Sequence, residues 1–363
     1  MMDKGLLLAG TALLCLASAA QAQSTVTLYG NVDGGLAFFN NVGGKRWYGF
    51  ENGNFVPDLF GLTGTEDLGG GLKATFKLEA SYNLSNGSLL VPSQLFQRKS
   101  IVGLSSDKLG ELTLGYQPSF MFDVLLPYSV PYHGGGLYTF HQGNLDELGN
   151  TNALTNTVKY FSPSFGGISF GLQFAFGNEA GNFATKRKYA AALQYKNGPL
   201  SLGMVYTNEN NRVIEFTEFL GLKNLFGTPL PTTDVAIANK LQNIGFGGSY
   251  KIEALTLHAV FTQSRVEFAN GSSNANTADF GVNYFIGYFD SVGAGGSVEN
   301  FAGGHWTTLS LSNAYFLSKR TTFYQQFMYQ KASGANAVAS MLGAGQASGN
   351  SQLGVAIGIQ HYF

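Results

Sequence analysis

Residues 72–82 read LKATFKLEASY. In an extended chain Leu72, Ala74, Phe76, Leu78 and Ala80 fall on one side, and Lys73, Thr75, Lys77, Glu79 and Ser81 on the other. Three charges on one face and none on the other describe a wall between lipid and water. A half-buried sheet in a soluble sandwich gives the same alternation, so recurrence has to decide. The pattern does recur. STVTLYGNVD places Val26, Leu28, Gly30 and Val32 opposite Thr27, Tyr29, Asn31 and Asp33. It returns in ISFGLQFAFG, KYAAALQYK, LSLGMVYT, IGFGGSYK, LTLHAVFTQ, ADFGVNYFIG, TTLSLSNAYF and TTFYQQFMYQ. Short turns such as YKNGPLS and FLSKRTT alternate with longer polar stretches such as FANGSSNANTAD, which are read as loops. Alternating short and long connections suit periplasmic turns and extracellular loops.

Both ends of the sequence agree with this reading. Residues 1–22, MMDKGLLLAGTALLCLASAAQA, carry Lys4, an apolar stretch and an Ala20-Gln21-Ala22 site, the pattern of a secretory signal peptide. Cleavage is expected before Gln23, leaving residues 23–363 as the mature domain. The single cysteine, Cys15, lies inside the leader, so no mature thiol chemistry is expected. The sequence finishes QLGVAIGIQHYF, with Leu353, Val355, Ile357, Ile359, His361 and Phe363 on one face. An aromatic terminus on an apolar strand face suits a lipid solvent, since the last residues of a soluble chain usually fray.

Composition narrows the class further. Hydrophobic residues make up 44%, charged residues 12% and aromatic residues 14%, and there are 49 glycines. Low charge with abundant Gly and aromatics, and no apolar run of helix-spanning length, fits an outer-membrane β-barrel. The net charge of −1 argues against a nucleic-acid partner. A strand of about ten residues plus an averaged connection gives roughly 16 to 18 strands. Sixteen tilted strands close into a barrel of roughly 17 Å radius, too wide for wall side chains to fill. Between GELTLGYQ and NTVKYF lies PSFMFDVLLPYSVPYHGGGLYTFHQGNLDELGNTNALT, long and rich in aromatics, with a short helix expected at DVLLPY. A connection of this length is functional or disordered, and its aromatics favour order. Folded inward, it would narrow the channel.

The ordered set GTEDLGGGLKATFKLE, VGLSSDKLGELTLG, NGPLSLG and LSKRT, with Gly358, His361 and Phe363, resembles Gram-negative general porins of the β-proteobacterial type across nearly the whole mature chain. The resemblance implies an all-β, sixteen-stranded antiparallel transmembrane barrel, trimeric, in the outer membrane. Its third extracellular loop would fold into the lumen as the constriction. It also implies that Phe363 is the signal read by the outer-membrane assembly machinery. In such proteins wall arginines face loop acids. Arg98 matches a wall arginine and Asp123 a loop acid, whereas Leu59, Thr63, Tyr116 and Gln360 stand where arginines are common.

The expected activity is passive diffusion of ions and small hydrophilic solutes through a water-filled channel, with no covalent chemistry. The alternative is a substrate-selective channel binding its solute at the aromatic-rich loop. Charge sets which ions enter and aperture sets which solutes pass. The candidate constriction comprises Lys73 and Lys77 on the polar face of their strand, Arg98, Lys99, and the loop acids Asp123, Asp146 and Glu147. Strict alternation admits only one of Arg98 and Lys99 to the inner face. The dull reading of Asp123 is a helix cap, and of Asp146 and Glu147 a solvated loop tip. Five histidines, His133, His141, His258, His305 and His361, show no ligand-pair spacing, so no metal or cofactor is expected.

Overall fold

The computed structural model describes residues 25–151, 153–215, 220–226, 228–229 and 235–363. The expected signal segment, 1–22, lies outside the described residues. The strands are β1 (Thr25–Val42), β2 (Lys45–Asn52), β3 (Leu59–Gly69), β4 (Leu72–Ser81), β5 (Lys99–Ser106) and β6 (Gly110–Gln117). Next come β7 (Leu154–Phe161), β8 (Ile168–Ala175), β9 (Lys188–Asn197), β10 (Leu200–Glu215), and the short β11 (Asn224–Leu225) and β12 (Thr228–Pro229). The long strands β13 (Val235–Ile252), β14 (Leu255–Phe268), β15 (Gly271–Ile286), β16 (Asp290–Phe301), β17 (Gly304–Phe316) and β18 (Thr321–Ser333) follow. The series finishes with the short β19 (Ser340–Met341) and β20 (Gly345–Gln346), and β21 (Ser351–Tyr362).

Seventeen of these strands form one sheet, and every neighbouring pair is antiparallel. The sheet closes where Asn31–Phe39 of β1 pairs with Tyr362–Gly354 of β21. Phe363 extends the seam by exchanging two backbone hydrogen bonds with Gly30. Closure removes the free edges that an open sheet would present. The wall has sixteen positions, because β2 and β3 share one: β2 pairs with the upper half of β1 and β3 with its lower half. Between them residues 53–58 bulge out of the ladder. Asp33 of β1 holds that bulge, its carboxylate accepting from the backbone N–H of Phe55 and Val56, while Asn31 donates to the carbonyls of Val56 and Pro57.

Side-chain alternation sorts the wall into two faces. Val26, Leu28, Val102, Leu172, Phe280, Leu311, Ile357 and Ile359 are exposed on the apolar face. Asn31, Asp33, Thr262, Asp279, Gln326 and Gln360 are buried on the polar one. Among the described residues no helix is long and apolar enough to cross a membrane, and the apolar strand face takes that role. Tyr250, Tyr284, Tyr288 and Tyr315 stay exposed near the short-turn rim, where an aromatic girdle belongs. FANGSSNANTAD proves to be strand rather than loop: β14 runs to Phe268 and β15 starts at Gly271, with only a two-residue turn between. Its Asn, Ser and Thr residues are polar on both faces, so the amphipathic signal vanishes although the backbone ladder continues.

Between β6 and β7, residues 118–151 form a series of short helical turns, among them Met121–Leu125, Leu126–Tyr128, Pro131–Gly135, Leu137–Thr139 and Gln142–Asn144. The helix expected at DVLLPY is therefore two abutting turns. Phe120, Met121, Val124, Leu125 and Tyr128 pack with Val205 of β10 and Val260 of β14 in a buried cluster. Glycines on the wall make room: a Cβ at Gly247 would stand 2.6 Å from the Tyr128 ring, and one at Gly203 2.9 Å from it. Farther along, Tyr138 packs edge-on against Phe39 of β1 at 4.8 Å between ring centroids.

Candidate functional site

The long segment covers the polar face from β10 round to β1 and leaves a cavity against β3–β7. That cavity holds about 420 Å³, and its lining includes Lys77, Lys99, Lys159, Glu111 and Asp123. Alternation explains the clustering. Lys77 on β4 lies directly across from Ile101 on β5, so Lys99, two residues back, projects on the same side. Lys77 is paired with Glu79 at 2.9 Å, and Glu79 also accepts from the Tyr29 hydroxyl at 2.8 Å. Lys159 on β7 pairs with Asp123 and donates to the Pro118 carbonyl at 2.9 Å, with its ammonium 4.3 Å from the centre of the Phe120 ring. Lys99 alone of the three has no hydrogen-bond or ion-pair partner among the described residues.

Arg98 and Lys99 are not forced to opposite faces. β5 begins at Lys99, and Arg98 precedes it, so strand alternation does not bind the pair. Both interact electrostatically with Glu79. Lys73 is elsewhere: it lines a shallow recess at the short-turn rim with Ser105, Asp107 and Ser162. Asp123 makes no side-chain cap hydrogen bond to its helical turn and reaches the wall lysine instead.

Asp146 and Glu147 do not line this cavity. Asp146 is 2% exposed and takes His141 Nδ1 at 2.6 Å and the Thr262 hydroxyl at 2.8 Å. His141 Nε2 is 3.2 Å from Asp279, whose carboxylate also accepts from the Val130 N–H. Burial opposes charge on His141, but Asp146 and Asp279 outweigh it and hold the imidazole well above its ordinary value. Burial likewise pushes the Asp146 carboxyl up, yet His141 and Thr262 bring it below the usual range. Glu147 pairs with Arg212 of β10, which also bonds Glu209 at 2.9 Å, and Lys188 of β9 joins Glu209 at 2.9 Å. Burial dominates at Glu147 and raises its carboxyl to about 7 in spite of Arg212.

Two histidines seat the segment from the other side. His133 stacks on His258 of β14 at 4.0 Å, and Asn283 of β15 donates to the His133 carbonyl at 2.6 Å. Burial lowers the His133 imidazole below its ordinary value. Gln326 of β18 donates to the Gly134 carbonyl and accepts from Asn54 of the bulge, both at 2.7 Å. Among the described residues no three His, Cys, Asp or Glu side chains converge on a metal-sized site. Fixed charges of both signs therefore face one another across the cavity.

Sequence reading misses Lys159, Arg212 and Glu209. Lys159 stands inside NTVKYF on the same face as Thr157 and Phe161, so its placement on a polar face was available from alternation. Its pairing with a residue 36 positions earlier was not.

A family profile described as Gram-negative porin matches residues 9–335. An outer membrane porin protein of Bordetella pertussis is 29% identical over 90% of this chain and 94% of its own. Outer membrane porin protein 32 of Delftia acidovorans is 28% identical over 97% and 98% respectively. Among solved structures, the anion-selective porin from Comamonas acidovorans superposes with a TM-score of 0.78 at 26% identity, covering 94% of this chain and all of that one. OmpT of Vibrio cholerae shares the fold at 14% identity, with a TM-score of 0.67 over 95% of this chain and all of the other.

Proposed function

The chain belongs to the Gram-negative porin family, and from that premise we propose how its channel selects solutes. It is an outer-membrane β-barrel channel, passive rather than enzymatic. The segment 118–153 folds into the lumen and leaves, as the path for ions and small hydrophilic solutes, the gap against β3–β7. Basic wall residues Lys77, Lys99 and Lys159 stand there against Asp123 and Glu111, with Arg98 beside Glu79 just outside the lining. One observation carries the choice of sign: Lys77, Lys99, Lys159 and Arg98 stand against Glu79, Glu111 and Asp123, an excess of one positive charge, and Lys99 has no ion-pair partner. A fixed excess charge in a low-dielectric wall raises the local concentration of counter-ions, so the channel favours small anions. The anion-selective porin from Comamonas acidovorans, similar over nearly the whole chain, supports the same sign.

The test is the reversal potential of the purified protein in a planar bilayer under a salt gradient. Anion preference is expected, and Lys99→Glu should reduce it severalfold or invert it. A cation-selective parent channel would overturn the reading. Residues 1–22 act as the cleaved export signal, Phe363 marks the chain for assembly, and three copies cover one another's apolar walls as a homotrimer in outer-membrane lipid. A substrate-selective reading is favoured by one further fact: Ile101, Phe120, Val124 and Phe161 line the same cavity as the lysines.

A further inference from the structure

The charged and apolar linings of the cavity are not mixed at random. On β5 Lys99 is followed two residues on by Ile101, and on β7 Lys159 by Phe161, so each lysine has an apolar neighbour on its own face. Both strands run from the long-segment rim toward the short-turn rim, so on each strand the apolar group lies one step nearer the short-turn rim than its lysine. Phe120 and Val124 of the segment, each only 1% exposed, back this lining, the Phe120 and Phe161 rings lying 5.9 Å apart. Lys159 is satisfied by Pro118 and Asp123, whereas Lys99 is free to take a ligand.

We propose that the cavity is a binding site for aromatic monocarboxylates in transit, with the carboxylate on Lys99 and the ring against Ile101 and Phe161, two partly exposed apolar groups of the lining. The spacing suits that class. Two strand residues span about 6.6 Å. A carboxylate held at about 2.8 Å from an ammonium puts an attached phenyl ring centre roughly that far from the nitrogen. The cavity, at about 420 Å³, lies in the range of small-molecule sites, which are mostly apolar with few convergent polar groups. A hydrated inorganic anion gains nothing from the apolar lining, and a neutral aromatic gains nothing from Lys99. Binding through one ammonium and two apolar groups remains weak enough for release and transport.

This inference rests on the cavity being the solute path. The test uses the full mature protein in a planar bilayer at fixed ionic strength, with benzoate, acetate and benzamide added in turn. Benzoate is expected to block current reversibly and saturably, with acetate and benzamide inert at the same concentrations. Lys99→Gln and, separately, the milder Ile101→Thr should each raise the half-blocking benzoate concentration about tenfold, and Lys73→Gln at the rim should not. Equal block by acetate and benzoate, or wild-type block in both cavity variants, would overturn the proposal. A protein that conducts without benzoate-specific block overturns this inference alone. A protein that never conducts overturns the path as well.

Discussion

His141 sits between the carboxylates of Asp146 and Asp279 with almost no access to solvent. Removing one partner of such a group leaves buried charge uncompensated, at a cost of about 3–5 kcal/mol. His141→Gln should therefore lower the thermal midpoint of the folded barrel and release the segment, read as faster hydrogen exchange across residues 118–151. The pH dependence follows from the same groups. His141 is raised in the folded state, so its contribution is whole below about 6.5 and is lost as pH climbs through its higher folded value. Glu147, raised to about 7, contributes below about 4.5 and loses that contribution as it ionises near neutrality. Asp146 is depressed and works the other way: its contribution is present above about 3.9 and fails only as pH falls through its lower folded value. The segment is accordingly docked most firmly between about pH 4 and 6.5. Exchange rates corrected for intrinsic pH dependence should rise between pH 6 and 9, and a flat profile would contradict this assignment.

At the scale of elements, the segment lies where it does because β10 and β13 present glycines to it. Gly247→Val would place a branched side chain where the Tyr128 ring now packs, 2.6 Å from the added Cβ. Overpacking of this kind costs about 1–3 kcal/mol and should push the turns toward the basic wall, lowering single-channel conductance. Gly248→Val, on the opposite face beside the flexible end of Leu202, should leave conductance unchanged. The strands themselves were legible in LKATFKLEASY and QLGVAIGIQHYF, because a wall with lipid on one side and polar groups on the other imposes a strict period of two. Legibility fails where both sides are polar. In YTNENNRVIE and FANGSSNANTAD the ladder continues but no face is apolar, so Arg212 and Glu209 carry no signal of their role. The candidate site was half readable for a related reason. Alternation places Lys77 on the polar face but admits only one of Arg98 and Lys99, and whether Asp146 and Glu147 face water or a wall partner depends on contacts 65 or more residues away.

The whole molecule presents an apolar face around its circumference, and the proposed homotrimer would bury part of it. Conductance should then appear in groups of three equal steps, and an unheated sample should migrate on a gel at about three times the monomer mass before resolving on heating. Single isolated steps together with monomer migration would contradict the trimer. Closure of the sheet brings Asn31 to Gln360, 329 positions away, and Asn54 to Gln326, 272 positions away. The bulge at residues 53–58 thereby acquires a meaning in time as well as in space. Leu137 donates its backbone N–H to the Asn54 carbonyl, and Gln326 clasps both Asn54 and Gly134. These anchors meet only when the earliest strands and the latest ones stand side by side. Long-range contacts of this kind form late, because the chain entropy they consume is large. A half-assembled barrel has no complete seat for its own segment, so that seat is finished at the last step of assembly, by the same event that seals the wall.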